Sequence, residues 1–415
     1  GKTYVAYLFA HDAQEFGADG DESVIKCGSF TTNGSGVATV SLGWEPQYIL
    51  FKGTENVDNW YLNDSMRGMP VGGSSANLSP NTSGAEVAGG YNTEPNADGF
   101  TANPGIGNKP YIYIAIRRPM KVPEAGTEVY NADTRGTTTP AYISGFPVDM
   151  YISAYLYGDN HQIRDRLRGD AYLFTTVTNA EGGSGNTKFQ YMNGVNSASS
   201  VNTDYLSYMF KRAAGFMDMV AYTGTGSATT QAHNLGAVPE LMIVKCRSEA
   251  NQFWAVYAGD PTDFLQLNTT AASGDLASVW NDTSPTSGVF TVGTRDEVNG
   301  SAKTYIAYLF ATLAGVSKVG SYTGTAASLD LDMGFTAGAR FFLCKRTDAT
   351  GGWYTYDSLR GIVAGNDPYL LLNSTAAQVT NTDYVDPLAA GITLTAAGSS
   401  TINVSGGSYI FLAIA

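Results

Sequence analysis

The chain has 415 residues, 43% of them hydrophobic, enough for several domains that each bury a core. Its formal net charge of −13 argues against binding a nucleic-acid backbone, which needs clustered Lys and Arg to replace condensed counterions, and no apolar run approaches the roughly 20 residues of a membrane-spanning helix. Gly (48) and Tyr (26) are abundant while charged residues make up only 15%, and no long stretch has helical periodicity, so the expected class is all-β with no significant helix.

The first element is an apolar run, Thr3-Tyr4-Val5-Ala6-Tyr7-Leu8-Phe9-Ala10, and versions of it recur along the chain. They are Tyr111-Ile112-Tyr113-Ile114-Ala115-Ile116, Tyr205-Leu206-Ser207-Tyr208-Met209-Phe210, Thr304-Tyr305-Ile306-Ala307-Tyr308-Leu309-Phe310-Ala311 and Tyr409-Ile410-Phe411-Leu412-Ala413-Ile414. The spacing is about 100 residues, a domain-sized period rather than the roughly 20 to 50 residues of solenoids and propellers. Residues 1–23 are therefore expected to hold the closing strand of a preceding module and an acidic loop. That reading places the start of the chain inside a module, in keeping with Gly1-Lys2-Thr3, which resembles neither a start methionine nor a signal peptide.

Four modules follow, at 24–120, 121–214, 215–312 and 313–415. Module 1 opens with Val24-Ile25-Lys26-Cys27-Gly28-Ser29-Phe30, runs through Gly43-Trp44-Glu45-Pro46 and Tyr48-Ile49-Leu50-Phe51-Lys52, and carries Trp60, Asp64, Arg67 and Gly68 before its closing strand. Module 2 is the most diverged, retaining Gly145-Phe146-Pro147, an alternating run from Met150 to Tyr157, and Asp165-Arg166-Leu167-Arg168-Gly169. Module 3 has Gly236, Met242-Ile243-Val244-Lys245 and Trp254 but lacks the Asp-Arg-Gly signature. Module 4 repeats the programme of module 1 with Gly334-Phe335, Phe341-Phe342-Leu343-Cys344-Lys345-Arg346, Trp353 and Asp357-Ser358-Leu359-Arg360-Gly361. Seven or eight short apolar runs per module, separated by Gly, Asn, Asp and Ser turns, indicate a tandem array of β-sandwiches, jelly-roll or Ig-like, with barrels as the second choice. The closing run is apolar at nearly every position instead of alternating, so both its faces are expected to be covered. Connections between modules are short, and a semi-rigid rod is expected.

One charged constellation repeats: Asp64/Arg67, Asp165/Arg168 and Asp357/Arg360. Read functionally, it is a site for sugar hydroxyls with Trp60, Trp254 and Trp353 as stacking platforms; read structurally, it is an Asp–Arg clamp on a turn beside a buried Trp. Asp12, Glu15, Asp19, Asp21 and Glu22 crowd one loop and could hold calcium, though they miss the EF-hand spacing, and a solvated inter-module loop is the preferred reading. Asn81-Thr82-Ser83, Asn268-Thr269-Thr270 and Asn373-Ser374-Thr375 fit the N-glycosylation pattern, but such matches arise cheaply in a Ser/Thr/Asn-rich chain, and side-chain capping of a turn is the preferred reading. Cys27, Cys246 and Cys344 stand at non-equivalent places and are expected to be small buried thiols rather than a disulfide framework. The sequence holds no nucleophile elbow, phosphate loop or zinc-binding spacing, and His11, His161 and His233 share no motif, so no catalytic residue, cofactor or metal is expected.

Val319-Gly320-Ser321-Tyr322-Thr323-Gly324, Gly334-Phe335, Cys344-Lys345-Arg346-Thr347-Asp348, Trp353, Asp357-Ser358-Leu359-Arg360-Gly361, Leu371-Leu372-Asn373-Ser374-Thr375 and Ser405-Gly406-Gly407-Ser408-Tyr409-Ile410 together resemble repeat modules in tail-fibre-like and other virion structural proteins of tailed, particularly marine, bacteriophages. The similarity covers modules 1 and 4 well, module 3 moderately and module 2 poorly. It implies a non-enzymatic structural protein of the virion, a tail fibre or similar appendage, with capsid decoration also open. The implied partners are further copies of the chain, other virion proteins and host-surface glycan. A carbohydrate-binding, lectin-like adhesin is the alternative. A capsule-degrading enzyme ranks last, because such tailspikes are usually β-helical with much shorter repeats.

Overall fold

The computed structural model describes all residues except 1, 12–15, 18, 19, 21, 56, 90, 91, 120, 184–186 and 197–202. The described chain is almost entirely β, with two one-turn α-helices, Ala277–Trp280 and Asp296–Asn299, and two short 3-10 turns. It divides into two compact units, one made of Gly1–Lys121 with Arg166–Gly169 and the other of Val122–Asp165 with Asp170–Ala415.

The first unit contains module 1. Its large sheet runs in the spatial order Ile25–Thr31, Pro110–Arg117, Pro46–Gly53, Trp60–Asp64, and its small sheet in the order Ala38–Ser41, Gly99–Asn103, Asn92–Asn96. Between them lies a core of Val40, Leu42, Ile49, Phe51, Tyr61, Phe100 and Tyr111. The second unit repeats this plan three times. The closing strands Tyr205–Phe210, Thr304–Phe310 and Ser408–Ile414 each run antiparallel between an opening strand (Tyr130–Thr134, Met217–Thr223, Ser317–Thr323) and a third strand (Met150–Tyr155, Leu241–Cys246, Phe341–Arg346).

The repeating tyrosine has one task in three modules. Tyr305 stacks on Tyr222 across the strand pair with ring centroids 5.1 Å apart, Tyr409 on Tyr322 at 4.7 Å, and Tyr111 on Phe30 at 5.2 Å. In modules 3 and 4 the same ring also ties down a loop, Tyr305 Oη donating to the Asp296 carbonyl at 2.6 Å and Tyr409 Oη to the Thr401 carbonyl at 2.7 Å. The periodic glycines Gly43, Gly145, Gly236 and Gly334 all sit at positive φ, between 72° and 86°, where any Cβ is strained.

Along Thr304–Phe310, Tyr305, Ala307 and Leu309 point into module 3's own core. By the two-residue period of a strand, Ile306, Tyr308 and Phe310 point the other way. They are buried as well, at 3% exposure or less. Their cover comes from the neighbouring modules: Phe310 meets Phe210 of module 2 at 6.1 Å, and Phe210, Tyr208 and Tyr130 of module 2 gather round Phe341 of module 4 at 5.9, 5.4 and 5.2 Å. The three large sheets of the second unit thus share one apolar centre. This replaces the expected rod for modules 2, 3 and 4, since hydrogen bonds close from module 2 directly onto module 4.

The run from Thr3 to Ala10 finds no partner among the described residues. It forms no strand: Tyr4, Val5, Tyr7 and Leu8 are 80% exposed or more, and no ladder bond reaches them. A strand needs a partner for its backbone N–H and C=O groups, and a sequence almost identical to Thr304-Tyr305-Ile306-Ala307-Tyr308-Leu309-Phe310-Ala311 does not supply one.

Candidate functional site

The repeated motif residues converge on the seams between modules of the second unit. In module 3, Trp254 is fully buried and its indole Nε1 donates to the Phe174 carbonyl of module 2 at 2.9 Å. Module 4 repeats this on module 3, Trp353 Nε1 donating to the Gln266 carbonyl at 2.9 Å. In module 2 the equivalent place is taken by His161, whose Nε2 donates to the Leu371 carbonyl of module 4 at 3.1 Å. Seven residues beyond each acceptor, a backbone N–H recrosses the seam: Glu181 to the Arg247 carbonyl, Ser273 to Thr347 and Gln378 to Leu156, at 2.8, 2.8 and 2.9 Å. Module 3 grips module 2, module 4 grips module 3, and module 2 grips module 4, so the same head-to-tail interface is made three times and closes on itself. A heterologous contact yields a finite assembly only when its rotation closes in this way.

The clamp residues lie within this scheme. Arg360 Nε donates to Asp357 Oδ2 at 2.6 Å and its backbone N–H to Oδ1 at 2.9 Å; Arg67 holds Asp64 by the same two bonds at 2.7 and 2.8 Å. Asp357 is fully buried and also accepts Tyr208 Oη of module 2 at 3.0 Å, while Arg360 donates to that same oxygen at 2.9 Å. Asp165, equally buried, accepts Tyr308 Oη of module 3 at 2.7 Å; Arg168 is buried too. The structure therefore brings Asp165, Trp254, Trp353, Asp357 and Arg360 to the seams, whereas Asp64, Arg67 and the half-buried Trp60 belong to module 1. As sugar-stacking platforms Trp254 and Trp353 are corrected, because neither shows a face to solvent. Nor are they core residues of their own module: they anchor one module to the next.

The third seam departs from the other two. Where modules 2 and 4 place Asp165 and Asp357, module 3 has Ala258, and where modules 2 and 3 place Tyr208 and Tyr308, module 4 has Leu412. Both partners of the bond are missing together. Ile410 loses the full cover enjoyed by its counterparts Leu206 and Ile306 and lines a cleft of about 180 Å³ with Ala258, Asp260, Asp263, Phe264 and Thr347. This seam shares a lysine with the seam where module 3 grips module 2. Lys345 Nζ reaches the Arg346 carbonyl at 2.7 Å and the Thr270 carbonyl of module 3 at 3.4 Å, as Lys245 reaches Gln252 at 2.9 Å and Thr178 of module 2 at 3.4 Å. Burial pulls each of these two ammonium groups down to a pKa of about 8. At the seam where module 2 grips module 4, the place is Ala154, and burial drives the His161 imidazole down to about 4, so that it is neutral at pH 7.

The three Asn-x-Ser/Thr matches share one role, and two of them hold seam tryptophans. Asn81, Asn268 and Asn373 each use Oδ1 to accept the backbone N–H of Trp60, Trp254 and Trp353, at 3.0, 2.9 and 2.8 Å, which is the capping role. Cys246 and Cys344 are buried free thiols; Cys27 is half-buried, against expectation, because the outer side of its sheet has no neighbouring module within the first unit. Of the acidic loop, Asp12, Glu15, Asp19 and Asp21 lie outside the described residues. Among the described residues no group of His, Cys, Asp and Glu is placed to hold a metal ion, and no helix is long and apolar enough to cross a membrane. Sequence reasoning missed His161, although it stands four residues before Asp165 as Trp60 and Trp353 stand before Asp64 and Asp357.

A family model described as "Domain of unknown function (DUF7483)" matches residues 1–117 and 178–415, leaving out only the first half of the diverged module 2 and the segment before it. The chain belongs to this family. A search of curated proteins finds no match. The matched stretches take in both clamp regions with full Asp–Arg geometry and both seam tryptophans, whereas the seam residues His161, Asp165 and Phe174 of module 2 lie outside them.

Proposed function

We infer that the chain is a structural protein of a bacteriophage particle, a tail fibre or similar surface appendage, which assembles with further copies of itself and with other virion proteins and helps attach the particle to its host. The observation that carries this reading is the triple repetition of one seam around a shared apolar centre. Such a build spends its buried polar groups on fixing modules against one another, the requirement of a scaffold rather than of a catalyst. The motif resemblance to virion repeat modules points the same way, and the charge of −13 suits an exposed particle surface. Labelling purified particles with antibodies against the chain tests the reading: regular labelling at one position is expected, and a free protein absent from particles would sink it.

A second reading rests on the cleft at the third seam. Phe264 with Asp260, Asp263 and Thr347 offers an apolar face rimmed by hydroxyl-binding groups, the chemistry of a glycan subsite. On this reading the chain is a lectin-like adhesin that uses the cleft instead of the tryptophans. Glycan-array binding abolished by Asp260→Ala is the expected result; an array without signal removes the reading.

A further inference from the structure

We propose that module 1 carries an exposed copy of the seam, through which three chains associate, module 1 to module 1, in the same head-to-tail closure that modules 2, 3 and 4 make within one chain. The proposal deepens the assembly part of the function inferred above, but it stands on geometry alone and holds whether or not the protein belongs to a virion.

Strand pairing fixes the correspondence. Leu50 faces Ile114 in module 1, as Ile152 faces Tyr208, Ile243 faces Tyr308 and Leu343 faces Leu412. Lys52 faces Trp60 just as Lys345 faces Trp353. The outer face of module 1's large sheet therefore presents Leu50, Lys52, Trp60, Asp64, Ile112 and Ile114 at the positions that form the seam elsewhere. In the second unit the counterparts of Ile112 in modules 2 and 3, Leu206 and Ile306, are fully buried; Ile112 is 43% exposed, and Leu50, Trp60 and Ile114 are half-buried.

The receiving half of the seam is present too. Counting back from the capping asparagine, Ser79, Ser83 and Glu86 stand where Gln266, Thr270 and Ser273 receive module 4. Residues 81–89 are all exposed. Module 1 thus has the gripping face and the gripped edge, and in the second unit a module with both halves closes at three members. An alternating sheet would turn polar residues outward here. Module 1 instead keeps the apolar character of a sheet covered on both sides, an exposed patch of the kind that marks a protein interface.

Mass in solution, by analytical ultracentrifugation of the full chain, is the test. Three chain masses at micromolar concentration are expected. Ile112→Asp places a charge on an already exposed position, leaves the module core untouched, and is expected to return a folded monomer by circular dichroism. Ile114→Tyr adds a phenol where Tyr208 and Tyr308 donate to aspartates, within reach of Asp64 of the next copy. It is expected to hold the trimer to concentrations at least tenfold lower than the wild type. A wild-type monomer or dimer at about 100 μM overturns the proposal, and so does a trimer whose mass Ile112→Asp leaves unchanged.

Discussion

The seams on either side of module 3 are built on one plan and finished differently. Where module 3 grips module 2, Tyr308 donates to a fully buried Asp165; where module 4 grips module 3, Leu412 and Ala258 stand in their place and a cleft opens beside Ile410. The backbone bond and the tryptophan bond survive at both, at 2.8 and 2.9 Å. The difference separates what the closure requires from what strengthens it. The apolar centre, the Trp or His anchor and the recrossing N–H are common to all three seams; the tyrosine–aspartate bond is an addition that needs both partners. An aspartate without its tyrosine would be a buried charge short of a donor, and a tyrosine without its aspartate a buried hydroxyl, so losing one partner costs more than losing both.

The largest effect is expected at Asp357. Asp357→Ala leaves Arg360 and Tyr208 in a dry seam without their acceptor, and a loss of about 3 to 5 kcal/mol follows from breaking a buried pair at one end. Asp64→Ala removes the same clamp from module 1, where the pair is partly exposed, and a loss of about 1 kcal/mol or less is expected. Urea unfolding of the two variants, followed by tryptophan fluorescence, measures the contrast. Equal losses would mean that the clamp acts within its own turn and the seam adds nothing.

Next in size is the tyrosine itself. Tyr308→Phe keeps the ring and removes one hydrogen bond to a carboxylate, an expected loss of about 1.5 to 3 kcal/mol in the same assay. Installing the bond in the seam that lacks it sharpens the comparison. Ala258→Asp alone is expected to destabilise and Leu412→Tyr alone to gain nothing, while the pair together recovers a coupling energy of about 1 kcal/mol in a double-mutant cycle. Additive effects would show that the third seam holds the two positions too far apart for the bond.

Much of this was legible in the sequence, for reasons that also mark where reading stopped. The period, the sandwich class and the covered closing strand follow from composition and the two-residue alternation of a strand, so residues such as Ile306 and Tyr308 announce a second buried face on their own. What buries that face was not legible. It depends on module 2 meeting module 4 across a gap of more than a hundred residues, and no local pattern records a rotation that closes. Trp254 and Trp353 were read as platforms or core for the same reason, since a buried anchor and an exposed platform look alike until the neighbour is known. The run from Thr3 to Ala10 shows the same limit from the other side: it carries the pattern of a strand, and local pattern does not say where a partner stands.

The smallest expected effect concerns the seam that uses histidine in place of tryptophan. Burial holds His161 at a pKa of about 4, below the usual value of 6.5, so between these limits the unfolded chain binds the proton that the folded seam refuses. Stability should therefore fall as pH drops from about 6.5 towards 4. Asp367 opposes this over part of the window: burial raises its carboxyl to about 6, the folded state takes up the proton first, and stability rises as pH falls through that value. The wild-type slope is the difference of two terms and says little alone. His161→Gln keeps a side-chain N–H donor at the Leu371 carbonyl and cannot titrate, so its melting temperature should fall less steeply with acid than that of the wild type, while Trp254 and Trp353, at the other two seams, contribute no such slope. Parallel wild-type and variant curves between pH 6.5 and 4 would mean that His161 is protonated at the seam and that its cover is thinner than the other two anchors enjoy.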